Sequence, residues 1–218
     1  MTVPAEDRQD KLRLVTLLTL IRFPLVLLFF AGAMVYADNR APWLFAASFA
    51  ALVVSAVTDL FDGLLARRYG VETHFGAHVD PLMDKFFYLS TLPVMIYVAT
   101  RNGHLGHASF LVVLTVLFLV RDQWVTFLRA IGSMYHVSGC ANWAGKLRTA
   151  LNFPLIFAIY YFEEAPASVQ FIPSLALHVF EVVAGVVNLL SVYVYTRHYW
   201  PHLRRSATLE HRGTDPRP

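Results

Sequence analysis

Asp59, Asp62, Asp80 and Asp84 stand at spacings that suit a cation-binding centre, within sequence otherwise rich in apolar residues. Residues three or four apart share one face of a helix. Asp59 with Asp62, and Asp80 with Asp84, are therefore expected to present two acidic pairs. A carboxylate at the centre of a membrane helix costs about 2.5–3.5 kcal/mol on insertion scales, so four together need compensating positive charge. Two divalent cations would neutralise four carboxylates. Oxygen-only ligands favour Mg²⁺, Mn²⁺ or Ca²⁺ over zinc, and paired metals roughly 3.5–4 Å apart serve phosphoryl chemistry. Gly63 follows Asp62, Ala66 lies one turn on, and Gly76 lies one turn before Asp80. Such small residues let a substrate approach the helix, although close helix packing uses them too. Arg67 is placed to hold a phosphate by paired hydrogen bonds.

These side chains must be carried by membrane helices. The chain has 218 residues, 56% hydrophobic and 15% charged, where soluble domains average roughly 25% charged. Six apolar runs, Leu14–Tyr36, Trp43–Ala66, Val79–Ala99, Ala108–Ile131, Trp143–Phe162 and Phe171–Thr196, each approach the ~20 residues that cross a bilayer as helix. The expectation is an all-α polytopic membrane protein, a bundle of six transmembrane helices. It divides into a polar juxtamembrane segment at 1–13, the membrane domain at 14–198 and a polar, disordered tail at 199–218. Lys and Arg gather before the first run, after the second and fourth, and in the tail. The positive-inside rule then places both termini in the cytoplasm. The second helix runs inward and the third outward. Asp59 lies about 12 Å above the inner end of one, and Asp84 within about 10 Å of the start of the other. Both acidic pairs thus reach overlapping depths on the cytoplasmic side.

Several other classes fit less well. The net charge of +3 sits where topology and anionic headgroups want it, which argues for a membrane surface rather than nucleic acid. The first apolar run is longer than the 7–15 residues typical of a secretory signal. The single Cys140 excludes an internal disulfide. His74, His78 and Asp80 offer zinc-type donors, but without an accompanying glutamate base. Intramembrane acids also mark ion- or proton-coupled transporters, the alternative from a different class. Transport favours acids spread across the membrane, whereas here they gather at one side with Arg67 and glycines spaced for a ligand. Arg22, deep in the first run, is expected either to snorkel or to face a polar cavity.

The run D-x2-D-G-x2-A-R-x8-G-x3-D-x3-D, from Asp59 to Asp84, resembles the signature of the CDP-alcohol phosphotransferases at every fixed position. Leu18-Thr-Leu-Ile-Arg22, Thr73-His-Phe-Gly-Ala77, Arg121-Asp122 and Gly145-Lys-Leu-Arg-Thr149 further resemble segments of the family's phosphatidylglycerophosphate synthases. The likeness implies six transmembrane helices and transfer of a phosphatidyl group from CDP-diacylglycerol to an alcohol, with release of CMP. It implies Asp59, Asp62 and Asp80 as main ligands of two divalent ions, Mg²⁺ or Mn²⁺, and Asp84 as general base and further ligand. Gly63, Ala66, Arg67 and Gly76 would shape the cytidine diphosphate site. The acceptor so implied is glycerol 3-phosphate, whose charge Arg121, Lys146 and Arg148 are suited to hold. Inositol phosphate, serine, choline and phosphatidylglycerol are the alternative acceptors. The likeness also implies a homodimer. The style of the sequence suggests a bacterial inner membrane, and the placement of Lys and Arg puts the site on its cytoplasmic side.

Overall fold

The computed structural model describes the backbone of residues 5–71, 74–137 and 143–207, and their side chains apart from residues 5–8, 74–78, 80 and 81. The described chain is helical, without strands. Its elements are α1 (Ala5–Asn39), α2 (Pro42–Tyr69), α3 (His74–Arg101), α4 (Leu105–Met134), α5 (Trp143–Glu164) and α6 (Ser174–Ala207). Five segments are long and apolar enough to cross a membrane: Gln9–Asn39, Pro42–Tyr69, Leu82–Arg101, Leu105–Met134 and Ser174–Ala207. The protein is an integral membrane protein. The 22-residue α5 stands apart because Lys146 and Arg148 lie near one end and Glu163 and Glu164 close the other.

Both polar flanks are helical where they are described. The described part of residues 1–13 continues directly into α1. Residues 199–207, expected to be disordered, extend α6 through Pro201 to Ala207. Packing explains the extension, since Leu203 lies against a buried cluster of Val125, Leu128, Tyr195 and Tyr199. Arg204 and Arg205 in the last turn suit the negative end of the helix dipole. Residues 208–218 lie outside the described ones, as does Cys140.

The chain forms two compact units. The first comprises Met1–Val112 and Phe153–Leu177. On α1, Val26, Phe29, Ala33, Tyr36 and Ala37 are buried along one stripe. On α2, Leu44, Phe45, Ser48, Ala51, Leu52, Ser55 and Asp62 form another. Phe29 and Phe45 both pack on Tyr160. Gly32 sets the approach of α1 to α2. A Cβ there would collide with the Ser48 hydroxyl oxygen, so a larger residue would have to turn that hydroxyl away. Phe23 stacks on Phe86, with centroids 4.6 Å apart, fixing α3 against the same stretch of α1. α2 ends in a left-handed Gly70 (φ 61°), with Val71 N–H bonded to Ala66 C=O at 3.1 Å, the geometry that glycine allows at a helix C-terminus. Near the turns that follow α1, α3 and α5, Arg40 bonds Glu164 at 3.1 Å and Asn102 bonds Glu163 at 3.0 Å. His104 Nδ1 also lies 2.9 Å from Glu163.

The second unit comprises Val113–Asn152 and His178–Pro218. Its α6 face buries Ala184, Asn188, Ser191, Tyr195 and Tyr199, spaced so that all point one way. Glycines open the facing helices. A Cβ at Gly145 would lie 2.7 Å from the Tyr195 hydroxyl, and one at Gly132 would collide with the Tyr199 ring.

Candidate active site

Asp62 belongs to the buried stripe of α2, and the register set by Gly32 and Ser48 decides what it meets. Ten residues before Gly32 on α1 stands Arg22, and eleven beyond Ser48 on α2 stands Asp59. These two oppose each other, with Arg22 Nη1 2.5 Å from Asp59 Oδ1. One turn further, Thr19 donates a hydrogen bond of 2.9 Å to Asp62 Oδ2. Asp62 Oδ2 also lies 3.9 Å from Arg22 Nη1. From α3, Asp84 Oδ1 accepts a 3.3 Å bond from Arg22 Nη2. One guanidinium therefore gathers three carboxylates from two other helices.

The three acids differ in access. The Asp62 side chain is 4% exposed, Asp59 26% and Asp84 41%, around an Arg22 that is 2% exposed. Asp62 is thus the anchored member and Asp84 the one best able to reach a ligand. Three carboxylates face this one guanidinium. A hard cation with oxygen ligands fits such a donor set, and Arg22 marks the place where positive charge is needed. Gly63 and Ala66 are half-buried on α2, and Arg67 is exposed. The Arg67 guanidinium folds back over Gly63, with Nη1 3.5 Å from where a Cβ would stand. Asp80, His74 and His78 lie outside the described side chains, and the surroundings of Gly76 on α3 are likewise outside them.

Arg121, Lys146 and Arg148 belong to the second unit. Arg121 and Arg148 are both buried there, and both bind Asp122, at 2.9 and 2.7 Å. Arg121 also donates to Ser191, from Nε at 3.1 Å and from Nη2 at 2.5 Å. Its guanidinium lies over the Tyr195 ring, 5.4 Å from the centroid. Arg129 takes a similar position over Tyr195 and donates 3.1 Å to its hydroxyl. Lys146 is exposed. The arrangement is a basic cluster with one acid inside it, suited to an anion with several acceptor oxygens.

Sequence reasoning missed Thr19, Ser191 and Tyr195, and left the partner of Arg22 open. Ser191 and Tyr195 share the buried stripe of α6 with Ala184 and Asn188. A polar residue recurring at core spacing in an apolar helix was the available signal.

A family model described as CDP-alcohol phosphatidyltransferase matches residues 12–193. A probable phosphatidylglycerophosphate synthase of Mycobacterium tuberculosis is 38% identical over 138 residues, covering 62% of this chain and 58% of that protein. The chain thus spans little more than half the length of that relative. A CDP-diacylglycerol–glycerol-3-phosphate 3-phosphatidyltransferase of Pectobacterium atrosepticum is 33% identical over 185 residues, 83% of this chain and 91% of that one. A protein of the same name from Pseudomonas fluorescens is 27% identical over 201 residues, 90% of this chain and 93% of that one.

Removing Asp122 leaves Arg121 and Arg148 buried without their shared acid. Asp122→Ala is expected to cost about 3–5 kcal/mol, and Ser191→Ala about 1.5–3 kcal/mol. Thermal unfolding of the detergent-solubilised variants checks the order. A milder effect at Asp122 than at Ser191 would contradict this reading of the cluster.

Proposed function

The chain belongs to the CDP-alcohol phosphatidyltransferase family, and we propose on that premise that it transfers a phosphatidyl group from CDP-diacylglycerol to glycerol 3-phosphate. The products are phosphatidylglycerophosphate and CMP, and the reaction serves phospholipid biosynthesis. The observation that carries the proposal is the convergence of Asp59, Asp62 and Asp84 on one buried guanidinium, in the stretch that holds the full acidic motif. The names of the bacterial relatives support the choice of acceptor.

In the proposed mechanism Asp59, Asp62, Asp80 and Asp84 hold two divalent ions, Mg²⁺ or Mn²⁺. When bound, these supply positive charge against the donor diphosphate, where electrostatic stabilisation contributes most to phosphoryl transfer. Asp84, the most exposed of the described acids, takes the proton from the acceptor hydroxyl. The hydroxyl oxygen then forms a bond to the phosphatidyl phosphorus. The bond from that phosphorus to the oxygen of CMP breaks, and CMP leaves with the electron pair. Gly63, Ala66 and Gly76 leave room for the cytidine diphosphate, and Arg67 holds a phosphate. Arg121, Lys146 and Arg148 bind the acceptor phosphate. The second unit has to orient Arg121 and Arg148 before a ligand arrives, and Asp122 and Ser191 do so.

The proposed setting is a bacterial inner membrane crossed by all six helices. Both termini and the site face the cytoplasm, where glycerol 3-phosphate is available, and the chain works as a homodimer.

The test is CMP release by the purified protein with CDP-diacylglycerol, Mg²⁺ and one alcohol at a time. Release with glycerol 3-phosphate, and not with glycerol or inositol phosphate, is expected. Release only with another alcohol would overturn the acceptor, and no release with any would overturn the reaction. Asp84→Asn is expected to lower turnover at least about 100-fold, while CDP-lipid and Mn²⁺ binding largely persist on the remaining acids. Near-normal turnover in this variant would remove Asp84 from the proton-accepting role.

A further inference from the structure

An arginine side chain buried to 2% exposure is unusual in an apolar helix, and three carboxylates surround Arg22 there. Its Nη1 lies 2.5 Å from Asp59 and its Nη2 3.3 Å from Asp84, so a single planar group ties α1 to both acidic helices. The placement is set by packing on either side of it: Gly32 against Ser48 on α2, and Phe23 against Phe86 on α3. Arg22 cannot withdraw along its own helix without disturbing those contacts. Only its side chain can move.

We infer that Arg22 is an internal counter-cation, a positioning residue that holds Asp59 and Asp84 together in the ion-free protein and competes with divalent ions for the same oxygens. The inference rests on the reading of these acids as ion ligands. Without ions, carboxylates gathered on one guanidinium repel one another, and Arg22 offsets that repulsion. With two divalent ions, four positive charges already balance Asp59, Asp62, Asp80 and Asp84. The guanidinium then becomes a surplus positive charge, and the ions have to displace it from Asp59 and Asp84. A diphosphate substrate, being anionic, is attracted to the charge so released. Arg22 therefore holds Asp59 and Asp84 together at the expense of ion affinity.

This role differs in sign from that of an ordinary buried ion pair. Losing a structural pair destabilises a protein whether or not an ion is present. Losing a competitor tightens ion binding, and the bound ion restores the lost stability through linkage.

The test uses the full-length protein in detergent, as wild type, Arg22→Gln and Arg22→Lys. Mn²⁺ binding is read from the free-ion electron paramagnetic resonance signal, and thermal unfolding is measured with chelator and with saturating Mg²⁺. Arg22→Gln is expected to bind Mn²⁺ at least about fivefold tighter than wild type, the lower end of common coupling between sites. Its Tm should fall below that of wild type in chelator and approach it in Mg²⁺. Arg22→Lys, which keeps the charge but not the planar fork, should give an intermediate Mn²⁺ affinity. Unchanged or weaker Mn²⁺ binding in Arg22→Gln, or the same loss of Tm with and without Mg²⁺, would overturn the inference. If Arg22→Gln folds in neither condition, Arg22→Lys decides: tighter Mn²⁺ binding supports the role, and equal or weaker binding overturns it. A wild type that binds no Mn²⁺ would overturn the ion-ligand reading and this inference together. A wild type that binds Mn²⁺ with an affinity indifferent to Arg22 would overturn this inference alone.

Discussion

Carboxylates that crowd around one point must share a positive charge, and in this protein Arg22 supplies it. Asp59, Asp62 and Asp84 come from two helices, yet all lie within 3.9 Å of its guanidinium nitrogens. The first unit is built to make that meeting possible. Gly32 lets α1 approach α2 at Ser48, and the same antiparallel register carries Arg22 to Asp59 and Thr19 to Asp62. Phe23 and Phe86 then bring α3 alongside. The stretch of apolar packing and the charged centre are consequences of one register. Shifting it by a single residue would turn the acids to another face of the helix.

The second unit meets the same difficulty with the sign reversed. Arg121 and Arg148 are buried near each other and share Asp122. Ser191 and the ring of Tyr195 complete the shell around Arg121. Gly145 is required because the Tyr195 hydroxyl occupies the space a side chain would take. Both units therefore hold groups of one charge in place around a group of the other.

Much of this was legible in the sequence because it is local. Asp59 and Asp62 must share a face at their spacing, and long apolar runs must become helices in a membrane. Small residues beside the acids and the basic residues of the fourth and fifth helices were visible for the same reason. The rest depends on which face meets which. Arg22 stood out as a charge in an apolar run, but its partners lie roughly forty to sixty residues away on other helices. The Gly32–Ser48 approach selects Asp59, and the stacking of Phe23 on Phe86 selects Asp84. Ser191 was overlooked because a serine or threonine hydroxyl in a membrane helix commonly satisfies itself on its own backbone, as Thr91 does on Phe87 C=O. Composition misled at the end of α6. Residues 199–207 read as polar tail, whereas Leu203 packs against the cluster of Val125, Leu128, Tyr195 and Tyr199 and draws the helix onward. Asp80 has the right spacing from Asp84, but its side chain lies outside the described ones.

The central claim is that the acids of α2 and α3 form one centre able to take two divalent ions side by side. Electron paramagnetic resonance of the protein loaded with Mn²⁺ tests it most directly. Two bound ions per chain with an exchange-coupled spectrum, as expected at a separation of roughly 3.5–4 Å, is the predicted result. A spectrum of isolated, uncoupled Mn²⁺ at full loading, or one unaffected by Asp62→Asn, would contradict it.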